Sequence, residues 1–151
     1  MKYLHSMIRT SNLDKTLDFY VNKLGLIEVK RYDNQVGKFT LVFLCASDDY
    51  KNAKNSKSPL IEITYNWPNH EGNTEELDTG RSFGHIAFRV KNIYETCDRL
   101  MKKNITINRP PKDGYMAFIK SPDNISIELL QEGEPLKLKE PWVSMKNIGS
   151  W

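Results

Sequence analysis

The chain repeats itself. When residue n is set over residue n+80, His5 falls on His85, Arg9 on Arg89, Asn12 on Asn92, Thr16 on Thr96, Asp18 on Asp98 and Lys23 on Lys103. Apolar positions coincide in the same register, Ile8 with Phe88 and Leu13 with Ile93. Self-similarity at a fixed offset marks a structural unit used twice. Whatever one copy contributes to a site, the other is built to contribute as well.

Each copy opens on a short alternating run followed by a helical pattern. LHSMIRT puts His5, Met7 and Arg9 on one strand face. In SNLDKTLDFYVNKLG, Ser11 or Asn12 can cap a helix, Leu13, Leu17 and Tyr20 recur at helical spacing, and Gly25 supplies the stop. The second copy runs GHIAFRV and then KNIYETCDRLMKKN, with Asn92 as cap and Asn104 near the stop. Strand-like stretches follow at 26–32, 38–45 and 59–66, and again at 105–109, 115–120 and 125–131. The closing strands match at an offset of 66, Ile61 with Ile127 and Glu62 with Glu128. The expected class is α+β: two tandem βαβββ modules forming a curved sheet around a metal site. Module 1 covers about 1–66 and module 2 about 83–132. The polar, turn-rich segment 67–82 reads as a linker, and 46–58 as an Asp/Lys/Asn-rich loop. The tail 133–151 has no clear periodicity and is expected to lie over the surface or reach a partner subunit.

Each module therefore carries one histidine at the start of its first strand and one glutamate in its last. If those strands lie side by side, His5, Glu62, His85 and Glu128 converge as two nitrogen and two oxygen donors. Such a set suits a first-row divalent ion with room for water, and does not suit Cu(I) or an iron–sulfur cluster. Alternation places Arg9 beside His5, and Thr64 and Asn66 beside Glu62. A lone strand histidine is more often structural, and a glutamate between two isoleucines is ordinary alternation. The duplication of the His/Glu pair is what raises both above that background. His70, in the polar linker, reads as a solvated loop residue.

Composition excludes more than it identifies. The 151 residues are 39% hydrophobic, enough for a core, and the net charge of +3 comes from lysines spread along the chain, with no stripe for nucleic acid. No stretch approaches the length of a membrane span, and the first twenty residues hold no apolar secretory core. The two cysteines, Cys45 and Cys97, form no C-x-x-C pair and fit a reducing cytoplasm. There is no G-x-G-x-x-G and no P-loop, and so no nucleotide fingerprint.

The segments LHSMIR, LDFYVNKLGL, IEITYNW, FGHIAFRV and MAFIKSPDNISIELL together resemble the vicinal oxygen chelate superfamily and, within it, the glyoxalase I family, over about residues 1–132. The resemblance implies metal ligands at the four residues that the repeat singles out. It also implies Ni²⁺ or Co²⁺ in preference to Zn²⁺, as in short bacterial forms. The implied substrate is the hemithioacetal of methylglyoxal and glutathione, isomerised with Glu128 as base and Glu62 as ligand and second acid/base. Arg9, Asn66, Arg81 and Arg109 match positions that hold glutathione, whose carboxylates suit Arg forks. A homodimer with shared active sites is implied too, with His5 and Glu62 from one chain and His85 and Glu128 from the other. Two features depart from the family pattern: SPDN at 121–124 replaces the usual turn, where Asn124 can adopt the left-handed conformation, and the loop before Met116 is short. Two other readings stand beside this one: a non-catalytic binding or resistance protein on the same scaffold, and another metalloenzyme of the superfamily such as a thiol transferase or epimerase.

Overall fold

The computed structural model describes residues 1–55, 57–78, 80 and 82–151. It divides into two compact units, Met1–Asp78 and Thr79–Trp151. Each holds one four-stranded sheet, and each sheet has the same strand order.

In the first unit the elements are β1 (His5–Thr10), α1 (Leu13–Leu17), β2 (Ile27–Asn34), β3 (Phe39–Cys45), α2 (Tyr50–Ala53) and β4 (Leu60–Asn66), with sheet order β1-β4-β3-β2. In the second they are β5 (His85–Val90), α3 (Ile93–Lys102), β6 (Ile107–Arg109), β7 (Met116–Lys120) and β8 (Ser126–Gln131), with order β5-β8-β7-β6. First and last strands are parallel neighbours in both, so Met7 lies opposite Glu62 and Ala87 opposite Glu128. The remaining pairs are antiparallel, and a register shift interrupts β2 between Glu28 and Lys30 and β6 between Ile107 and Arg109.

Alternation decides which face of each sheet is dry. Ile61 and Ile63 of β4, Val42 and Leu44 of β3, and Ile8 of β1 point to the helix side and are buried. Ile127 and Leu129 of β8 do the same with Ala117 and Ile119 of β7. Glu62 and Glu128 fall between these residues and project from the opposite, open face.

The helices form where the caps and apolar spacing direct. Asn12 accepts from the Lys15 backbone N–H at 3.0 Å. Asn92 accepts from Tyr94 and Glu95 at 3.1 and 3.2 Å, and its amide donates to the Glu95 carboxylate at 3.0 Å. Ile93, Tyr94, Cys97 and Leu100 make the buried stripe of α3. The first helix departs from expectation: beyond Leu17 it widens into a π-helical segment, Asp18–Leu24, closed at Gly25 by N–H donation to the Tyr20 carbonyl at 3.2 Å. The wider winding brings the adjacent rings of Phe19 and Tyr20 into the core together. The segment 46–58 also departs, since it holds a turn of 3₁₀ helix at Ser47–Asp49 and α2 rather than being irregular throughout. Asn124 has φ 62, so the SPDN turn keeps its left-handed corner. No helix of the described residues is long and apolar enough to cross a membrane.

Both cysteines are buried thiols. Burial, with a smaller effect from Asp98, pushes the Cys97 thiol up to about 12, and burial raises that of Cys45 as well. A thiol reacts as its thiolate. The native protein is therefore expected to resist Ellman's reagent at pH 8, and the chain in guanidinium to titrate both thiols. Rapid labelling of the native protein would show these sites to be open.

Candidate active site

Each unit brings its histidine and glutamate into contact. His5 Nε2 stands 3.0 Å from Glu62 Oε2, and His85 Nε2 stands 3.2 Å from Glu128 Oε2. The glutamates are half-buried and the imidazoles more open. Across the sheet from each glutamate is a phenylalanine, Phe43 facing Glu62 and Phe118 facing Glu128. The histidine meets that ring edge-on, at 5.9 Å for His5 and Phe43 and 5.5 Å for His85 and Phe118. One strand further is a cation: Lys30 opposite Phe43, and Arg109 opposite Phe118. The duplicated unit is thus a four-part row of imidazole, carboxylate, ring and base.

The donor chemistry fits a divalent first-row ion. Imidazole nitrogen with carboxylate oxygen is a borderline set of the kind such ions take. Among the described residues, neither unit brings a third His, Cys, Asp or Glu side chain to its pair.

The two halves differ in how firmly they hold the carboxylate. Glu62 Oε1 accepts a hydrogen bond from Thr64 Oγ1 at 3.2 Å, while its Oε2 faces His5. The position equivalent to Thr64 in the second unit is Leu130, which has no hydroxyl. Glu128 is therefore tethered through His85 alone among the described residues.

The other expected residues fare differently. Arg9 is exposed on the open face, four residues beyond His5, and makes no ion pair with a described residue. Asn66 ends β4 and donates to Glu75 Oε2 at 2.8 Å. Arg109 is half-buried; it donates to the Met116 carbonyl and pairs with Asp113 at 2.8 Å, so it also braces the short loop that leads into β7. Arg81 lies outside the described residues. His70 is an exposed linker residue, as expected. Lys30, Phe43 and Phe118 were not among the expected residues, and Thr64 was expected on the ligand face but not as a hydrogen-bond partner of Glu62. The repeat could have revealed the first three, because Lys30 and Arg109 are both basic and Phe43 and Phe118 identical at matching places.

Asp113 gives the brace a pH dependence. Burial alone would raise its carboxyl, but hydrogen bonds from Arg109 and from the N–H groups of Met116 and Tyr115, with the Arg109 charge, outweigh this and hold it below the ordinary 3.8. A lowered carboxylate stabilises the fold above its unfolded value, and that contribution is lost as pH falls through the lowered one. Asp113→Asn is expected to cost less than about 1 kcal/mol at pH 7, since the pair is partly solvated. Urea denaturation should show the gap between variant and parent narrowing as pH falls from 7 to 3. An undiminished gap at pH 3 would discount the ionic brace.

The sequence matches the family described as Glyoxalase/Bleomycin resistance protein/Dioxygenase superfamily over residues 2–129, and the chain belongs to that family. Within it, the chain is similar to proteins named for one activity. It is 38% identical over 137 residues to the lactoylglutathione lyase of Neisseria meningitidis, covering 87% of this chain and 91% of that protein. It is 40% identical over 136 residues to the probable lactoylglutathione lyase of Synechocystis, covering 87% and 95%. Its fold is similar to that of the trypanothione-dependent glyoxalase I of Leishmania major, with a TM-score of 0.74 and 32% identity over 87% of this chain and 86% of that one.

Proposed function

We propose that this protein is a lactoylglutathione lyase: it isomerises the hemithioacetal of methylglyoxal and glutathione to S-lactoylglutathione. The carrying observation is the duplicated imidazole–carboxylate pair at 3.0 and 3.2 Å, in a chain that matches lactoylglutathione lyases over nearly their whole length. The reaction moves hydrogen within one molecule. C1 loses its hydrogen and becomes the thioester carbon, C2 gains one and becomes the alcohol carbon, and no external oxidant or reductant is consumed.

His5, Glu62, His85 and Glu128 are the proposed ligand set for one divalent ion, Ni²⁺ or Co²⁺ in preference to Zn²⁺. Bound there, such an ion supplies Lewis acidity against the substrate oxygens on which negative charge develops. Glu128 takes the C1 proton and delivers it to C2; its single tether leaves it the freer carboxylate to swing. Glu62, held by the Thr64 hydroxyl, stays in place as ligand and second acid/base. Phe43 and Phe118 fix the two imidazoles by their edges. Arg9 and Asn66 receive the carboxylate and amide groups of glutathione, with Arg81 and Arg109 as further contacts.

The deciding experiment follows thioester absorbance from methylglyoxal and glutathione, with enzyme stripped by chelator and reloaded with Ni²⁺, Co²⁺ or Zn²⁺. Activity restored best by Ni²⁺ or Co²⁺ supports the full reading, and no thioester with any metal overturns it. A homodimer with shared sites is part of the proposal. Mixing inactive His5→Ala and His85→Ala chains should then regain activity, because the mixed dimer holds one site free of both changes. Mixtures that stay inactive would refute the sharing.

A further inference from the structure

The family match ends at residue 129, yet the segment that follows is well anchored. Trp142 is 1% exposed and stacks on Tyr94 of α3 at 6.2 Å with 15° between the rings. Ile148 N–H donates to the Asn108 carbonyl at 2.8 Å, and the Asn108 amide returns a bond to the Ile148 carbonyl at 3.0 Å. These bonds fix the segment beside β6, and three residues later Trp151 stacks on Phe118 at 6.1 Å. Phe118 is the ring that meets His85 and lies across from Glu128. The tail thus ends one aromatic ring away from the imidazole–carboxylate pair of the second unit.

Beside Trp151 opens a cleft of about 400 Å³, lined among others by Phe83, Lys120, Asn124 and Ser126. Strand register puts Lys120 opposite Ser126, and Ser126 opposite His85. Alternation then carries Lys120 to the face that bears Phe118 and Glu128. The cleft is larger than the methyl group of methylglyoxal needs, and of the size that holds a peptide-like ligand. Among the described lining residues the charged one is Lys120, whose Nζ donates to Asn124 Oδ1 at 2.9 Å and has two further protons to give.

We propose that this cleft takes a carboxylate-bearing arm of the thiol half of the substrate, with Lys120 receiving the carboxylate and Trp151, delivered by the tail, forming the opposing wall. The inference deepens the lyase reading and rests on it. Lys120 and Trp151 are then specificity residues for the thiol, contributed from outside the pairs that do the chemistry.

Binding of S-methylglutathione and of its diester, by calorimetry, tests the charge contact without turnover. Lys120→Met is expected to weaken S-methylglutathione about tenfold and leave the diester within twofold, whereas Lys120→Arg retains most of the affinity. Trp151→Ala, at a residue that is 41% exposed, should weaken both ligands several-fold. In the lyase assay both variants should raise KM with kcat within about twofold. Wild-type protein without lyase activity would overturn the functional reading whatever the titration gives. Active wild type, with Lys120→Met and Trp151→Ala both binding S-methylglutathione like the parent, would overturn the cleft.

Discussion

Glu128→Gln is expected to lower kcat for the hemithioacetal by about 10²–10⁴-fold, the usual contribution of a positioned general base, with bound metal retained. Gln preserves the shape of the side chain and one oxygen donor, so three unchanged members of the proposed ligand set and a carbonyl oxygen would remain to hold an ion. What the amide lacks is a basic oxygen to take the C1 proton. The same change at Glu62 is expected to cost less, because Glu62 is held at both oxygens, by His5 and Thr64, while Glu128 is held by His85 alone. Thr64→Val supplies the internal control: releasing Glu62 Oε1 makes the two carboxylates more alike and should narrow the difference between the two Gln variants. Elemental analysis and kcat are measured together. A Glu128→Gln enzyme that turns over like the parent removes Glu128 as base, and one that has lost its metal shows a ligand defect instead.

The pairing of strands was legible because the repeat supplied it twice. Histidine on the opening strand and glutamate on the closing one are neighbours when those strands are parallel partners, as β1 with β4 and β5 with β8 are. Asn12 and Asn92 marked the helix starts because a side-chain oxygen ahead of an apolar stripe satisfies N–H groups that the helix leaves open. The π-helical stretch at Asp18–Leu24 was not legible: its apolar spacing suits an α-helix equally well, and only the demand to bury Phe19 beside Tyr20 selects the wider winding. Lys30 escaped because the shift in β2 moves it out of simple alternation, and alternation is the rule by which its face would have been read. Thr64 was placed on the ligand face by that same rule, but its bond to Glu62 is a matter of rotamer and distance, which sequence does not carry. The tail was hardest, since its one deeply buried residue, Trp142, sits in a stretch without periodicity.

That residue sets the second large effect. Trp142→Ala is expected to destabilise the second unit by about 3–5 kcal/mol, the range for deleting a buried aromatic side chain. In a unit of this size, that lowers the thermal midpoint by more than about 10 °C. The loss has two parts. Transferring the indole out of contact with Tyr94 forfeits its buried area and the stacking, and the space it vacates is walled by a helix that cannot readily collapse onto it. The tail has further attachments that then lose their anchor. The Tyr94 hydroxyl donates to the Lys137 carbonyl at 3.2 Å, and Leu136 N–H donates to the Gly114 carbonyl at 3.0 Å. Gly114 has φ +70, and a Cβ there would stand 2.2 Å from the Leu136 carbonyl oxygen, so this crossing of tail and loop admits no larger residue. Scanning calorimetry checks the midpoint, and KM for the hemithioacetal checks the consequence for the site. Trp142 sits nine residues before Trp151, so a loosened tail should raise KM even below the transition. A midpoint within about 2 °C of the parent would mean that the tail rests on α3 without supporting it. An unchanged KM beside a lowered midpoint would mean that the bonds between Asn108 and Ile148 hold Trp151 on Phe118 without help from the indole upstream.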